Sequence, residues 1–235
     1  MLGPTAYHPV PVREAWDETP AFRAVRLALP APLARAHVRP GQVVKVRTPP
    51  GEGFFALASA PSADGAVDLL VKRGGTIADA VVASALPGGT LELTEPFGNG
   101  FPVEAAWGRD VLLFAAGSGI APVRALVQHL VRARERVNRI TLFYGQRHGA
   151  EFAYRREHLA WERGGVRVVL CPSQAEDAWE GVRGRVQEVA RTLGFGGFAP
   201  GEIVAFVSGM AAMVDDVRGT LAEAGVPSDR VYANF

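Results

Sequence analysis

The sequence predicts two domains in series: an antiparallel β-barrel, then an α/β domain with a Rossmann-like parallel sheet. Two observations carry this. Over roughly the first hundred residues apolar side chains recur at period two; from about residue 109 they gather into compact runs separated by helically spaced segments. A chain of 235 residues accommodates both domains, divided as 1–104 and 105–235.

The barrel strands are read first. Val25, Leu27 and Leu29 alternate with Arg26 and Ala28, Val44 and Val46 with Lys45 and Arg47, and Leu69 and Val71 with Leu70 and Lys72. Leu91 and Leu93 alternate with Glu92 and Thr94 in the same way. Gly/Pro-rich turns separate these runs, as in a closed antiparallel sheet. Residues 76–86 break the rhythm and read as a short helix crossing the barrel. Further on, apolar runs at 111–116, 140–144, 166–170 and 203–207 read as parallel strands. Val123, Leu126, Val127, Leu130 and Val131 recur at helical spacing after the first run. Met213, Val214, Val217 and Leu221 do so after the fourth, with Gly225 placed to cap the helix. This is βαβ rhythm.

Composition narrows the function. A formal net charge of +1 supplies no global field for nucleic acid or an anionic membrane. No apolar stretch is long enough to span a bilayer, and no signal peptide is visible at the start, so a cytoplasmic location is expected. The single cysteine, Cys171, forms no internal disulfide or Cys-rich cluster and reads as inert core. The five histidines are scattered without ligand spacing, so no metal is expected.

Between the first parallel strand and its helix stands Gly117-Ser118-Gly119-Ile120-Ala121-Pro122. The two glycines let backbone approach a ligand closely, and Pro122 suits a first helical turn. The N–H groups at a helix start then suit a pyrophosphate. By itself such a turn is equally an ordinary βα connection.

The ordered set of segments is more specific. The Gly117–Pro122 turn resembles the G-x-G-x-x-P segment of the ferredoxin–NADP reductase superfamily. Tyr144-Gly145-Gln146-Arg147 resembles its Y-G-x-R, and Ser208-Gly209-Met210 with Met213 its C-G-P-x-x-M. Upstream, Ala58-Ser59-Ala60-Pro61 resembles the end of the flavin motif R-x-Y-S-x-x-S-x-P. Val71-Lys72-Arg73-Gly74-Gly75-Thr76 resembles the next flavin segment, and Pro96-Phe97-Gly98-Asn99-Gly100-Phe101 the interdomain link. Within the superfamily the finer details resemble a plant and bacterial subgroup known as fruit protein.

The resemblance implies an FAD-binding barrel and an NADH- or NADPH-binding α/β domain. Phe55, Ala56, Ser59, Val71 and Lys72 would lie beside the flavin, and Gly75 and Thr76 at its pyrophosphate. Ser118 would sit under the nicotinamide, with Gly117 and Gly119 near the dinucleotide pyrophosphate and Pro122 in the same cofactor-binding turn. Tyr144, Gly145 and Arg147 would border its adenosine ribose. Ser118, Ser208 and Phe235 would lie near the hydride path, with Gly209 and Met210 at the nicotinamide, and Phe235 would cover the flavin. Plain packing competes with several of these roles, notably for Phe55, Met210 and Phe235. The motif arginine falls on Gly53, its tyrosine on Phe55 and its first serine on Ala56. Losing that arginine corresponds to about ten- to hundred-fold in affinity, with Lys72, Arg73 or Arg47 as candidate replacements. The implied activity is electron transfer from NAD(P)H through FAD to an unidentified acceptor, a protein among the candidates. The alternative is a nucleotide-binding module with a degenerate flavin site, acting as a sensor or as an electron-transfer subunit.

Overall fold

The computed structural model describes residues 3–234. Its N-terminal half is a six-stranded antiparallel sheet in the order β4-β3-β6-β1-β2-β5. The strands are β1 (His8–Thr19), β2 (Phe22–Ala28), β3 (Val43–Thr48), β4 (Gly51–Ala56), β5 (Ala66–Lys72) and β6 (Thr90–Leu93). The sheet curls until its two edges meet. Leu57 bridges Leu69, and the Ala58 N–H donates to the Asp68 carbonyl at 2.7 Å. Alternation explains the inside: Val10, Val12, Val25, Leu27, Val44, Val46, Leu69, Val71, Leu91 and Leu93 form one buried cluster. A short helix α1 (Ala31–Ala36) follows β2. Helix α2 (Thr76–Ser84) joins the cluster through Val81, as its apolar spacing requires.

The C-terminal half is a five-stranded parallel sheet in the order β11-β10-β7-β8-β9. It comprises β7 (Asp110–Ala116), β8 (Ile140–Gln146), β9 (Val166–Pro172), β10 (Ile203–Ser208) and β11 (Val231–Ala233). Helices α3 (Ile120–Arg132), α4 (Arg155–Arg163), α5 (Val186–Thr192) and α6 (Ala211–Glu223) connect them. Both faces of the sheet are covered, each by its own buried cluster, which explains the near-continuous apolar runs. Gly225 closes α6 as expected. At φ +84° it lets Val226 N–H reach the Leu221 carbonyl and its own N–H reach Ala222. Cys171 is buried, and burial pushes its thiol up to about 12, as suits an inert core residue.

The two halves are joined by charge as well as by apolar contact. Arg124, one turn into α3, is buried. Its guanidinium donates to the Ala58 carbonyl at 2.6 Å and to Asp68 Oδ2 at 3.0 Å, both on the barrel. On its other side it grips Glu157 of α4 at 2.7–3.0 Å and lies over the Tyr154 ring at 4.5 Å. Arg26 of β2 holds the second Asp68 oxygen at 2.9 Å. Tyr154 is left-handed at φ +61°, and its N–H donates to Glu18 Oε2 of β1 at 2.8 Å.

Removing one member of such a network leaves buried charge without a partner. Arg124→Met is therefore expected to destabilise the protein by about 3–5 kcal/mol in urea unfolding.

One buried and one half-buried histidine set an acid limit. Burial lowers the His37 pKa to about 4; burial, then the Arg155 charge, does the same for His158. In the unfolded chain both titrate near their ordinary value of about 6.5. The unfolded state thus binds protons that the folded state refuses, and stability falls as pH drops from about 6.5 toward 4. His37→Asn should remove about 1–2 kcal/mol of the stability difference between pH 7 and pH 5, measured by urea unfolding at each.

Candidate functional site

In an open parallel sheet a ligand crevice forms at the carboxyl ends of strands where the chain order reverses. Here that place lies between β7 and β10. Gly117, Ser118 and Gly119 make a tight turn into α3, and no side chain among the described residues caps that helix. Gly117 has φ +58°, and a Cβ built there would meet open space. Gly119 is glycine for a different reason: a Cβ would overlap the Ser208 carbonyl oxygen. Ser118 is exposed, Pro122 is buried in the first helical turn, and Ser208 is buried. At Gly209 a Cβ would crowd Met213 Sδ at 2.5 Å. Met210, the residue before α6, is 75% exposed and projects from this edge.

The neighbouring strand contributes less than the sequence suggests. Tyr144 was expected at a ribose, yet its side chain is fully buried. Its hydroxyl accepts the Ala153 N–H at 3.2 Å and a Gln146 side-chain N–H at 2.8 Å, and its ring meets Phe152 edge-on. Burial raises its pKa. Tyr144 therefore shapes the loop that follows β8 and offers no side-chain atom to a ligand. Gly145 makes room for Val186, whose Cγ1 would lie 2.8 Å from a Cβ. Arg147 is exposed, and its guanidinium has no partner among the described residues. The loop after β9 folds against it, with Gln174 N–H on the Arg147 carbonyl and Glu176 bonded to Gly149 N–H and His148.

Across the cleft the barrel presents the end of β5, which abuts the Gly117–Gly119 turn. Val71 points into the barrel, so only its backbone faces outward, whereas Lys72 is exposed and unpaired among the described residues. At Gly74 and Gly75 a Cβ would meet nothing within 4 Å. Gly75 precedes α2 and Thr76 opens it, and Asp79 in the first turn takes the Gly74 N–H at 2.9 Å. Phe55 is half-buried against the barrel interior. Ala56 pairs with Val43 on β3. The Ser59 hydroxyl is buried, accepting the Asp68 N–H at 2.9 Å, so it serves the strand closure. Phe235 lies outside the described residues; Asn234 before it donates its N–H to the Val207 carbonyl.

The comparisons with known proteins accord with this geometry. Residues 113–219 match the family model described as oxidoreductase NAD-binding domain. The chain is 30% identical to ferredoxin–NADP reductase B of Sorangium cellulosum, over 76% of this chain and 75% of that one. The chain belongs to the ferredoxin reductase family. It is also 27% identical to fruit protein pKIWI502 of Actinidia deliciosa, over 83% of this chain, and spans 65% of that protein's length. Among solved structures it resembles a ferredoxin–NADP reductase from Neisseria gonorrhoeae determined with bound FAD and NADP. That match has a TM-score of 0.81 at 19% identity, covering 98% of both chains, and speaks to the fold. The family's two-domain architecture is thus the one described above, and the sequence reading of fruit-protein likeness agrees with the relative found.

The two glycines of the reductase turn give a test of their different causes. Gly119→Ala should cost about 3 kcal/mol through backbone overlap, and Gly117→Ala about 1–2 kcal/mol through its left-handed conformation alone. Paired thermal melts would measure both, and equal losses would contradict the assignment.

Proposed function

We propose that this chain is an FAD-dependent oxidoreductase that passes electrons from NADH or NADPH, through FAD, to an acceptor not yet identified. The observation that carries the reading is the meeting of two glycine-lined helix starts, open at Gly117 before α3 and at Gly74 and Gly75 before α2. At Gly117, Gly74 and Gly75 no Cβ bars a close ligand, and the strand leading to α2 abuts the Gly117–Gly119 turn. Helix starts of this kind suit phosphate oxygens. The chain's similarity to ferredoxin–NADP reductase B supports the same reaction class. FAD, when bound, supplies the ability to accept a hydride and release electrons singly or in pairs.

The residues of this chain then bind and orient. Gly117 lets the dinucleotide pyrophosphate approach the start of α3, Gly119 lets that turn pack on the Ser208 carbonyl, and exposed Ser118 borders the nicotinamide with Met210. Arg147 reaches the adenosine half. Phe55, with the backbone of Ala56 and Val71, forms an apolar wall for the flavin ring, and Lys72, Gly75 and Thr76 face its phosphates. We place the domain boundary at 104/105, within the link between β6 and β7, and the protein in the cytoplasm.

A second reading has one observation in its favour. At Gly53, where the superfamily motif places its arginine, a Cβ would already crowd Ile77 Cγ2 at 3.0 Å and Phe55 Cε2 at 3.2 Å. Such a site could belong to a nucleotide-binding module without flavin turnover. Anaerobic addition of NADH or NADPH to protein in saturating FAD decides between them. Prompt bleaching of the flavin band with one nucleotide is expected; no bleaching with either would overturn the reductase reading.

A further inference from the structure

The proposed function leaves open how the flavin is kept. An anionic diphosphate is ordinarily retained by cations and free N–H groups at its binding turn. In this chain those means are reduced at four points. Position 53 carries no side chain, and Ile77 of α2 leans over the space one would enter. Arg73, one residue beyond β5, is committed to Asp17 at 2.7 Å and to the Pro20 carbonyl at 3.2 Å. Arg47 lies flat over the Tyr7 ring, 3.6 Å from its centroid. Asp79 brings a carboxylate into the first turn of α2 and occupies the Gly74 N–H.

What persists is an apolar surface and one lysine. Phe55, Ile77 and the backbone of β5 offer a wall for a ring system, and Lys72 alone of the three candidate cations has no partner among the described residues.

We propose that this chain grips the flavin by its ring system and only weakly by its phosphates, so that flavin enters and leaves as an exchangeable substrate. The inference rests on the reductase reading above and deepens it, because the electron acceptor is then the flavin itself. NAD(P)H gives up one hydride, water supplies one proton, and the products are NAD(P)⁺ and a two-electron-reduced flavin that departs. Riboflavin, FMN and FAD share the ring and ribityl chain and differ beyond it. Riboflavin ends there, FMN adds one phosphate, and FAD adds a diphosphate carrying adenosine. A lone exposed lysine contributes about ten-fold at most to the phosphate part.

Fluorescence titrations of the full chain with riboflavin, FMN and FAD at equal ionic strength test this directly. The expected dissociation constants fall within about thirty-fold of one another. Lys72→Ala should bring FAD toward riboflavin without changing riboflavin itself. FAD binding more than about thirty-fold tighter than riboflavin would overturn the inference and leave the reductase reading intact. Failure of all three flavins to bind would overturn both. A second variant supplies a gain: Gly53→Arg with Ile77→Ala should strengthen FAD about ten- to hundred-fold while sparing riboflavin. An equal effect on both flavins would contradict the role assigned to the phosphates.

Discussion

A single buried guanidinium sets the geometry of the cleft. Arg124 lies where the two sheets face one another, and a charge in that place is tolerable only if every donor finds an acceptor. Its acceptors come from three elements: the Ala58 carbonyl beyond β4, Asp68 on β5, and Glu157 on α4. Asp68 shares a strand with Lys72, and Arg124 shares a helix with the Gly117–Gly119 turn. Fixing one pair therefore fixes the other. Burying an ion pair adds little net stability compared with apolar packing, so its consequence here is positional. The left-handed Tyr154 belongs to the same constraint, since its strained backbone turns an N–H toward Glu18 of the barrel.

The glycines of the site illustrate how one residue type answers different demands. Gly117 is required by a left-handed backbone beside open space, and Gly74 and Gly75 leave room before α2. Gly119, Gly145 and Gly209 are instead pressed by protein: the Ser208 carbonyl, Val186 and Met213 leave no volume for a methyl group. Only the first kind leaves open space beside the backbone. The second kind lets adjacent βα loops pack closely enough to bring the ligand-facing turns together.

On the side proposed to hold flavin, charge is redistributed within a retained fold. The antiparallel barrel followed by a parallel-sheet domain is the fold shared with the reductase family. The cations that would hold phosphate are absent at position 53 or engaged by protein partners, namely Asp17 and the Tyr7 ring. A fold can keep its ring-binding wall while relaxing its hold on the charged end, because apolar burial and ion pairing draw on separate side chains.

Much of the architecture was legible in the sequence because periodicity is a local signal. Alternation at period two marked β2, β3, β5 and β6, and compact apolar runs marked β7 to β10, since each pattern reports which face of one element is buried. The prolines of β1 and the brevity of β11 hid those strands, which only sheet neighbours make recognisable. Motif order marked the turns at Gly117 and Gly75, whereas the burial of the Tyr144 side chain depends on Phe152 and Ala153 arriving from the next loop. The Arg124 network left no mark, because its partners are distant in sequence and each looks like an ordinary surface charge. The sequence by itself thus determined the elements and the turns able to approach phosphate. The tertiary structure alone decided which charges are spent on holding the two domains together and which remain for a ligand, since that depends on distances between residues no local pattern connects.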